Sequence, residues 1–177
     1  ARVRRFIDLT IERLTDSVRN QVPTAITADG TGVVLREEER PGTGTDLMLL
    51  TLDATRQVKP LLATSAAEFN GEVSPDGRWL AYESDQAGQF EIYVRPFPNT
   101  DAGGPWQVST GGGRQALWAR NGRELFYRAS NGAVVAVPVD AGGAVFRAGA
   151  PTVLIDGRYL GGTGVHVGRT YDISPDG

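Results

Sequence analysis

A single imidazole, His166, and no cysteine among 177 residues leave this chain few routes to chemistry. Without thiols there is no disulfide, no thiolate nucleophile, no Cys-ligated zinc and no iron–sulfur cluster. One histidine also cannot build a site that needs two. His166 has no nearby cluster of acids in sequence, so a surface or channel-mouth histidine is expected rather than a proton carrier or metal ligand. A serine nucleophile needs a general base and a strained elbow, yet none of Ser65, Ser74, Ser84, Ser109 and Ser174 lies in a Gly-x-Ser-x-Gly segment. The glycine clusters at 111–113 and 161–164 lack a following Lys-Ser or Lys-Thr and open no predicted helix. Connecting loops are expected there, not phosphate cradles. Glu37, Glu38 and Glu39 are expected in a loop over 36–45, and neither they nor the turn acids Asp76 and Asp176 show the alternation and closing Glu of a calcium loop. No catalytic residue, no metal and no cofactor is therefore expected.

The elements that would position any site follow from composition. The chain carries 18 Lys and Arg against 21 Asp and Glu, a net charge of −3, and no basic stretch beyond Arg2 to Arg5. Nucleic acid and anionic membranes are thus poor partners. No run of about 18 apolar residues and no signal-peptide segment occurs, so no membrane insertion by this segment is expected. With 23 Gly and 10 Pro the chain is too punctuated for a helical bundle, and short strands joined by tight turns are predicted. It begins at Ala1 and stops at a turn signal, and is read as a piece of a longer protein.

A tetrapeptide recurs as Thr27-Ala28-Asp29-Gly30, Ser74-Pro75-Asp76-Gly77, Ala119-Arg120-Asn121-Gly122 and Ser174-Pro175-Asp176-Gly177, its glycines 47, 45 and 55 positions apart. Each copy suits a hairpin turn in which Asp or Asn tolerates the second central position and Gly takes the left-handed conformation. An apolar residue precedes each copy (Ile26, Val73, Trp118, Ile173), and β-prone runs follow, such as Trp79-Leu80-Ala81-Tyr82 and Leu125-Phe126-Tyr127. Four short strands per repeat of about 45 residues predict an all-β propeller of four-stranded antiparallel blades. Residues 21–64, 65–110 and 111–156 form complete blades on this reading, 1–20 end an earlier one and 157–177 start the next. Phe6 to Leu9 and Ile11 to Thr15 are the candidate strands of the first stretch, although Ile7, Ile11 and Leu14 also fit a short amphipathic helix. Trp79, Trp106 and Trp118 with Tyr82, Tyr93 and Tyr127 fall on strand positions a blade must bury, so core packing is expected rather than a stacking platform.

The run from Phe69 through Ser74-Pro75-Asp76-Gly77-Arg78-Trp79-Leu80-Ala81-Tyr82 to Ser84, with Glu91-Ile92-Tyr93-Val94-Arg95-Pro96-Phe97-Pro98, resembles the TolB-like, WD-like Pro-Asp β-propeller repeat of bacteria. The resemblance covers 65–156 best and returns at Tyr171 to Gly177. Thr27-Ala28 and Ala119-Arg120-Asn121 depart from Ser-Pro-Asp, and looser turns are expected there. Val108 to Gly113 and Gly122 to Tyr127 are similar to propellers attached to bacterial Ser/Thr protein kinases, although the chain holds no kinase Gly-rich loop, His-Arg-Asp or Asp-Phe-Gly. The resemblance implies a ring of about six blades, of which about four are present, and a periplasmic or otherwise extracytoplasmic location.

Propellers bind at the channel mouth through loops joining one blade's outer strand to the next blade's inner strand, here about 64–69, 110–115 and 159–169. Glu68, Arg114, His166 and Arg169 are their polar candidates for contacting a protein or peptide partner, preferred to a small molecule. A noncatalytic binding or scaffolding module is the leading reading, as the sensor region of a receptor-type kinase or as an envelope component. The alternative is a substrate-gating propeller of a prolyl-oligopeptidase-type hydrolase. Open blade edges predict self-association. Gly112→Ala is expected to cost less than Gly77→Val.

Overall fold

The computed structural model describes residues 12–157 and 169–174. The turn tetrapeptides close hairpins in the same way three times. Gly30, Gly77 and Gly122 sit at φ 72°, 71° and 68°, and their N–H groups donate to the carbonyls of Thr27, Ser74 and Ala119. The acid or amide before each glycine caps the turn: Asp29, Asp76 and Asn121 accept from the backbone N–H of Thr31, Arg78 and Arg123 at 3.0, 3.2 and 2.8 Å. The first turn is no looser for lacking Ser-Pro. The Thr27 hydroxyl donates to Asp29 at 2.6 Å as Ser74 does to Asp76 at 2.6 Å, so threonine does the work of serine. Ala119 has no hydroxyl, and the third turn keeps only the backbone and Asn121 bonds.

Around these turns lie three antiparallel sheets. The first comprises β1 (Gln21–Ile26), β2 (Gly32–Arg40), β3 (Gly44–Thr51) and β4 (Val58–Leu62), paired in that order. The second comprises β5 (Glu68–Val73), β6 (Trp79–Ser84), β7 (Glu91–Pro96) and β8 (Trp106–Gln107). In the third, β9 (Gly113–Trp118), β10 (Glu124–Ala129) and β11 (Val134–Asp140) are followed by an outer strand split in two, β12 (Arg147–Ala148) and β13 (Thr152–Ile155), both paired with β11.

The middle blade buries both faces, which is why all six residues of β6 are buried and no period-2 pattern shows there. Leu80, Tyr82 and Tyr93 pack with Val34, Leu47 and Leu62 of the first blade. Trp79, Ala81, Ile92 and Val94 point the other way, onto Trp118, Leu125, Tyr127 and Val137 of the third. Phe146 enters this second seam from the β11–β12 loop, 5.7 Å from the Trp79 ring, and the Trp79 indole N–H donates to the Ala141 carbonyl at 2.9 Å. Tyr171 and Ile173 cover Leu117 and Phe126 on the far face of the third blade.

Two sequence expectations are corrected. Glu37, Glu38 and Glu39 are not in a loop, because β2 runs to Arg40 and only three residues turn into β3. Arginines make that acidic strand possible: Arg36 pairs with Glu38 at 3.0 Å and Arg40 with Glu37 at 2.8 Å. Although burial opposes its ionisation, hydrogen bonds from Gln21, Arg40 and Ser17 hold Glu37 below the ordinary carboxylate range. The candidate strand at Ile11 to Thr15 carries no regular structure over its described residues 12–15, where Glu12, Arg13 and Leu14 are exposed. Phe6 to Leu9 lies outside the described residues.

Gly112 stands in tighter surroundings than Gly77. Its φ is 101°, and a Cβ there would stand 2.9 Å from the Ser130 Cβ, whereas at Gly77 the nearest atom is 3.4 Å away. Gly77→Val is expected to cost about 1 kcal/mol or more from strain at positive φ. Gly112→Ala adds a clash to that strain, so its urea midpoint should fall at least as far as that of Gly77→Ala. A midpoint equal to the parent's would contradict both features.

Candidate binding cleft at the inner strands

The inner strands β1, β5 and β9 lie side by side, β5 packing on β1 and on β9, and together with residues 169–172 they wall a cleft of about 390 Å³. Each inner strand carries one extra residue relative to its neighbour, between Pro23 and Ala25, between Phe69 and Glu72, and between Arg114 and Leu117. Such bulges re-aim side chains. Here they present Thr24, Asn70 and Gln115 to the cleft, and the last two hold left-handed backbone at φ 47° and 59°. Non-glycine residues in that region cost about 1–3 kcal/mol unless their surroundings hold them, and they collect at functional positions.

What holds them is a set of bonds between blades. The Thr24 hydroxyl donates to the Gly71 carbonyl at 2.8 Å, joining the first blade to the second. Asn70 donates to Glu83 at 2.6 Å, and the same carboxylate oxygen accepts the Gln115 N–H at 2.6 Å, joining the second to the third. The Tyr171 hydroxyl donates to the Gln115 carbonyl at 2.6 Å, and the Thr170 hydroxyl to the Gln115 side chain at 3.0 Å. Burial pushes the Tyr171 phenol far above its usual range, so it acts here as a neutral donor.

The charges in the cleft are matched. Arg169 pairs with Glu72 at 3.2 Å, both partly exposed. Burial raises the Glu72 carboxyl while Arg169 pulls it down. Beside them runs a layer of stacked groups from all three blades. The Arg36 guanidinium lies 5.3 Å from the Phe69 ring, Phe69 meets Phe90 edge to face at 5.5 Å, and Arg114 lies 3.8 Å from the Phe90 ring. Arg114 also pairs with the buried Glu83 at 3.3 Å.

Of the four candidate residues, Arg169 lines the cleft. Glu68 does not: it opens β5 with its side chain buried, accepting from the Thr64 hydroxyl. Arg114 is held against Phe90 and Glu83 between blades, with 30% of its side chain exposed. His166 lies outside the described residues. Asn70, Glu72, Gln115 and Tyr171 were missed. An Asn-Gly pair inside an expected strand, at Asn70-Gly71, was the signal for a bulge.

Sheets stacked face to face with their first strands gathered at one cleft define a β-propeller, and solved structures agree. The fold is similar to TolB from Agrobacterium tumefaciens (TM-score 0.59, 15% identity, 81% of this chain and 53% of that one). TolB from Acinetobacter baumannii matches with TM-score 0.58 at 18% identity over 82% of this chain and 35% of that one. Prolyl oligopeptidase B from Galerina marginata matches with TM-score 0.54 at 11% identity over 82% of this chain and 20% of that one. The chain thus spans about half of the first of these proteins and less of the others. No protein-family model and no curated protein sequence matches it.

Proposed function

We propose that this chain is a noncatalytic binding module whose inner-strand cleft receives a protein or peptide segment. The observation that carries the reading is the cleft itself, built where the strained, bulged residues Asn70 and Gln115 of adjacent blades bring the half-buried Asn70 amide beside the partly exposed Arg169–Glu72 pair. Amides and a matched ion pair suit the alternating donors and acceptors of an extended backbone better than they suit covalent chemistry. Among the described residues no three His, Cys, Asp or Glu side chains converge in a way that could hold a metal ion.

The TolB-type neighbours favour an extracytoplasmic component of the cell envelope, and the sequence resemblance adds the sensor region of a receptor-type Ser/Thr kinase. A second reading, a propeller that restricts access to a hydrolase domain, is favoured by the likeness to prolyl oligopeptidase B. The outer edge of the third blade is a further contact surface in this reading. Strand β13 exposes Val153 and Leu154, with neither the Lys59 and Pro60 of β4 nor the two-residue brevity of β8 to blunt it, and self-association through it is proposed.

Selection of a displayed peptide library on the chain tests the cleft. Binders are expected to lose at least tenfold in affinity on Arg169→Ala or Tyr171→Phe and to be unaffected by Arg120→Ala on the opposite, turn-bearing face. Binders insensitive to both cleft variants would reject the cleft, and turnover of kinase or peptidase substrates abolished by one substitution in this chain would reject the noncatalytic reading.

A further inference from the structure

Five carboxylates are buried in the first two blades: Glu37, Asp46, Glu68, Glu83 and Glu91. Three are amply supplied with donors. Glu37 accepts from Gln21 and Arg40, and Glu83 from Asn70, Gln115 and Arg114. Glu91 accepts from Ser109, Gln89 and the Gly112 N–H. Asp46, on β3, is supplied on one oxygen only. Its Oδ2 meets Arg40 at 2.6 Å and the Thr43 hydroxyl at 2.6 Å, while its buried Oδ1 accepts no hydrogen bond among the described residues.

Glu68 is poorest. Its two donors both belong to Thr64, the hydroxyl on Oε1 and a long N–H bond of 3.4 Å on Oε2, and no cation pairs with it among the described residues. The charges that act on it most among the described residues are negative: Asp46 from the first blade, itself tied to Arg40, and Asp85, which accepts the Ala67 N–H at 2.9 Å. Tyr82 faces it from β6, its hydroxyl held by Arg95 at 3.1 Å. Strand β5, which Glu68 opens, packs on β3, so Glu68 and Asp46 stand on opposite sides of the seam between the first two blades.

We propose that Glu68 is a proton-operated latch on that seam: protonated, it lets the blades close, and ionised, it sets two buried like charges against each other across them. Burial raises the Glu68 carboxyl to about 7, the Thr64 bonds opposing and the Asp46 and Asp85 charges adding to the rise. A carboxyl raised on folding contributes stability that is complete below its unfolded value, about 4.5, and is lost as pH climbs through about 7. The latch is therefore shut in mildly acidic surroundings and strained in neutral ones.

Urea unfolding of the whole chain, followed from about pH 5 to pH 8, tests this in a His166→Gln background, which removes the one imidazole from a window where histidines ordinarily titrate. The folding constant should fall close to tenfold per pH unit in mid-window, one proton's worth. Glu68→Gln should flatten that dependence and leave the pH 5 stability near the parent's. The protection of the β5 amides against hydrogen exchange, taken relative to the intrinsic base-catalysed rate at each pH, should fall with pH in the parent alone. A slope that survives Glu68→Gln overturns the latch. Should that variant fail to fold, Asp46→Asn must move the parent's midpoint to lower pH, and an unmoved midpoint overturns it as well.

Discussion

Replacing Gly113 with alanine is expected to lower the stability of the chain by about 3 kcal/mol or more, the upper end of what overpacking costs. Gly113 begins β9 where the third blade leans on the second, and its N–H donates to the Phe90 carbonyl at 2.9 Å. A Cβ at this position would run into the Ser109 Oγ and stand 2.6 Å from the Ser109 Cβ and 3.1 Å from Ile92 Cγ1. Ser109 cannot swing aside, because its Cβ is fixed to the backbone and its hydroxyl both donates to Glu91 and accepts the Ile92 N–H at 2.8 Å. The backbone must move, and the buried Glu91 then loses a donor. Chemical denaturation reads the result as a fall in midpoint at unchanged slope. Ser109→Ala alone should cost less, and the double variant should recover none of the loss, since the clash with the 109 Cβ persists. A Gly113→Ala midpoint equal to the parent's would mean that the second and third blades do not meet as described.

The second large effect is expected at Glu83, a fully buried carboxylate that ties the second blade to the third through Asn70, the Gln115 N–H and Arg114. Glu83→Leu should destabilise by about 3–5 kcal/mol, because it takes the acceptor from the buried Gln115 N–H and the half-buried Asn70 amide and the counter-charge from a partly buried guanidinium. Glu83→Gln separates charge from hydrogen bonding. Burial already presses Glu83 towards its neutral form, so an amide that keeps the acceptor oxygen should lose less than half as much. Because the Asn70 and Gln115 bulges hang on this carboxylate, peptide binding at the cleft should fall with Glu83→Leu even at temperatures where the chain stays folded. Equal losses for the two variants would place the whole effect in charge, and loss of stability without loss of binding would detach the bulges from the cleft.

Much of this molecule is legible in its residues. The hairpin turns follow from Asp or Asn before Gly, since side-chain capping and left-handed φ are local demands that need no tertiary partner. Four short strands per repeat follow from the spacing of those turns, and burial of Trp79, Trp118, Tyr82 and Tyr127 from their places on the strands. The rest was decided by neighbours distant in the chain. Whether Glu37 to Glu39 extend a strand or form a loop depends on arginines that neutralise them, one of them on the same strand only because that strand continues. Glu68 and Arg114 read as free mouth residues, but the adjoining blade claims both, one by burial beside Asp46 and the other by Glu83 and Phe90. The cleft belongs to the tertiary structure most of all. A one-residue bulge leaves composition and periodicity almost unchanged, yet it turns Asn70 and Gln115 inward, and the bonds that hold them there join residues 13 to 56 positions apart.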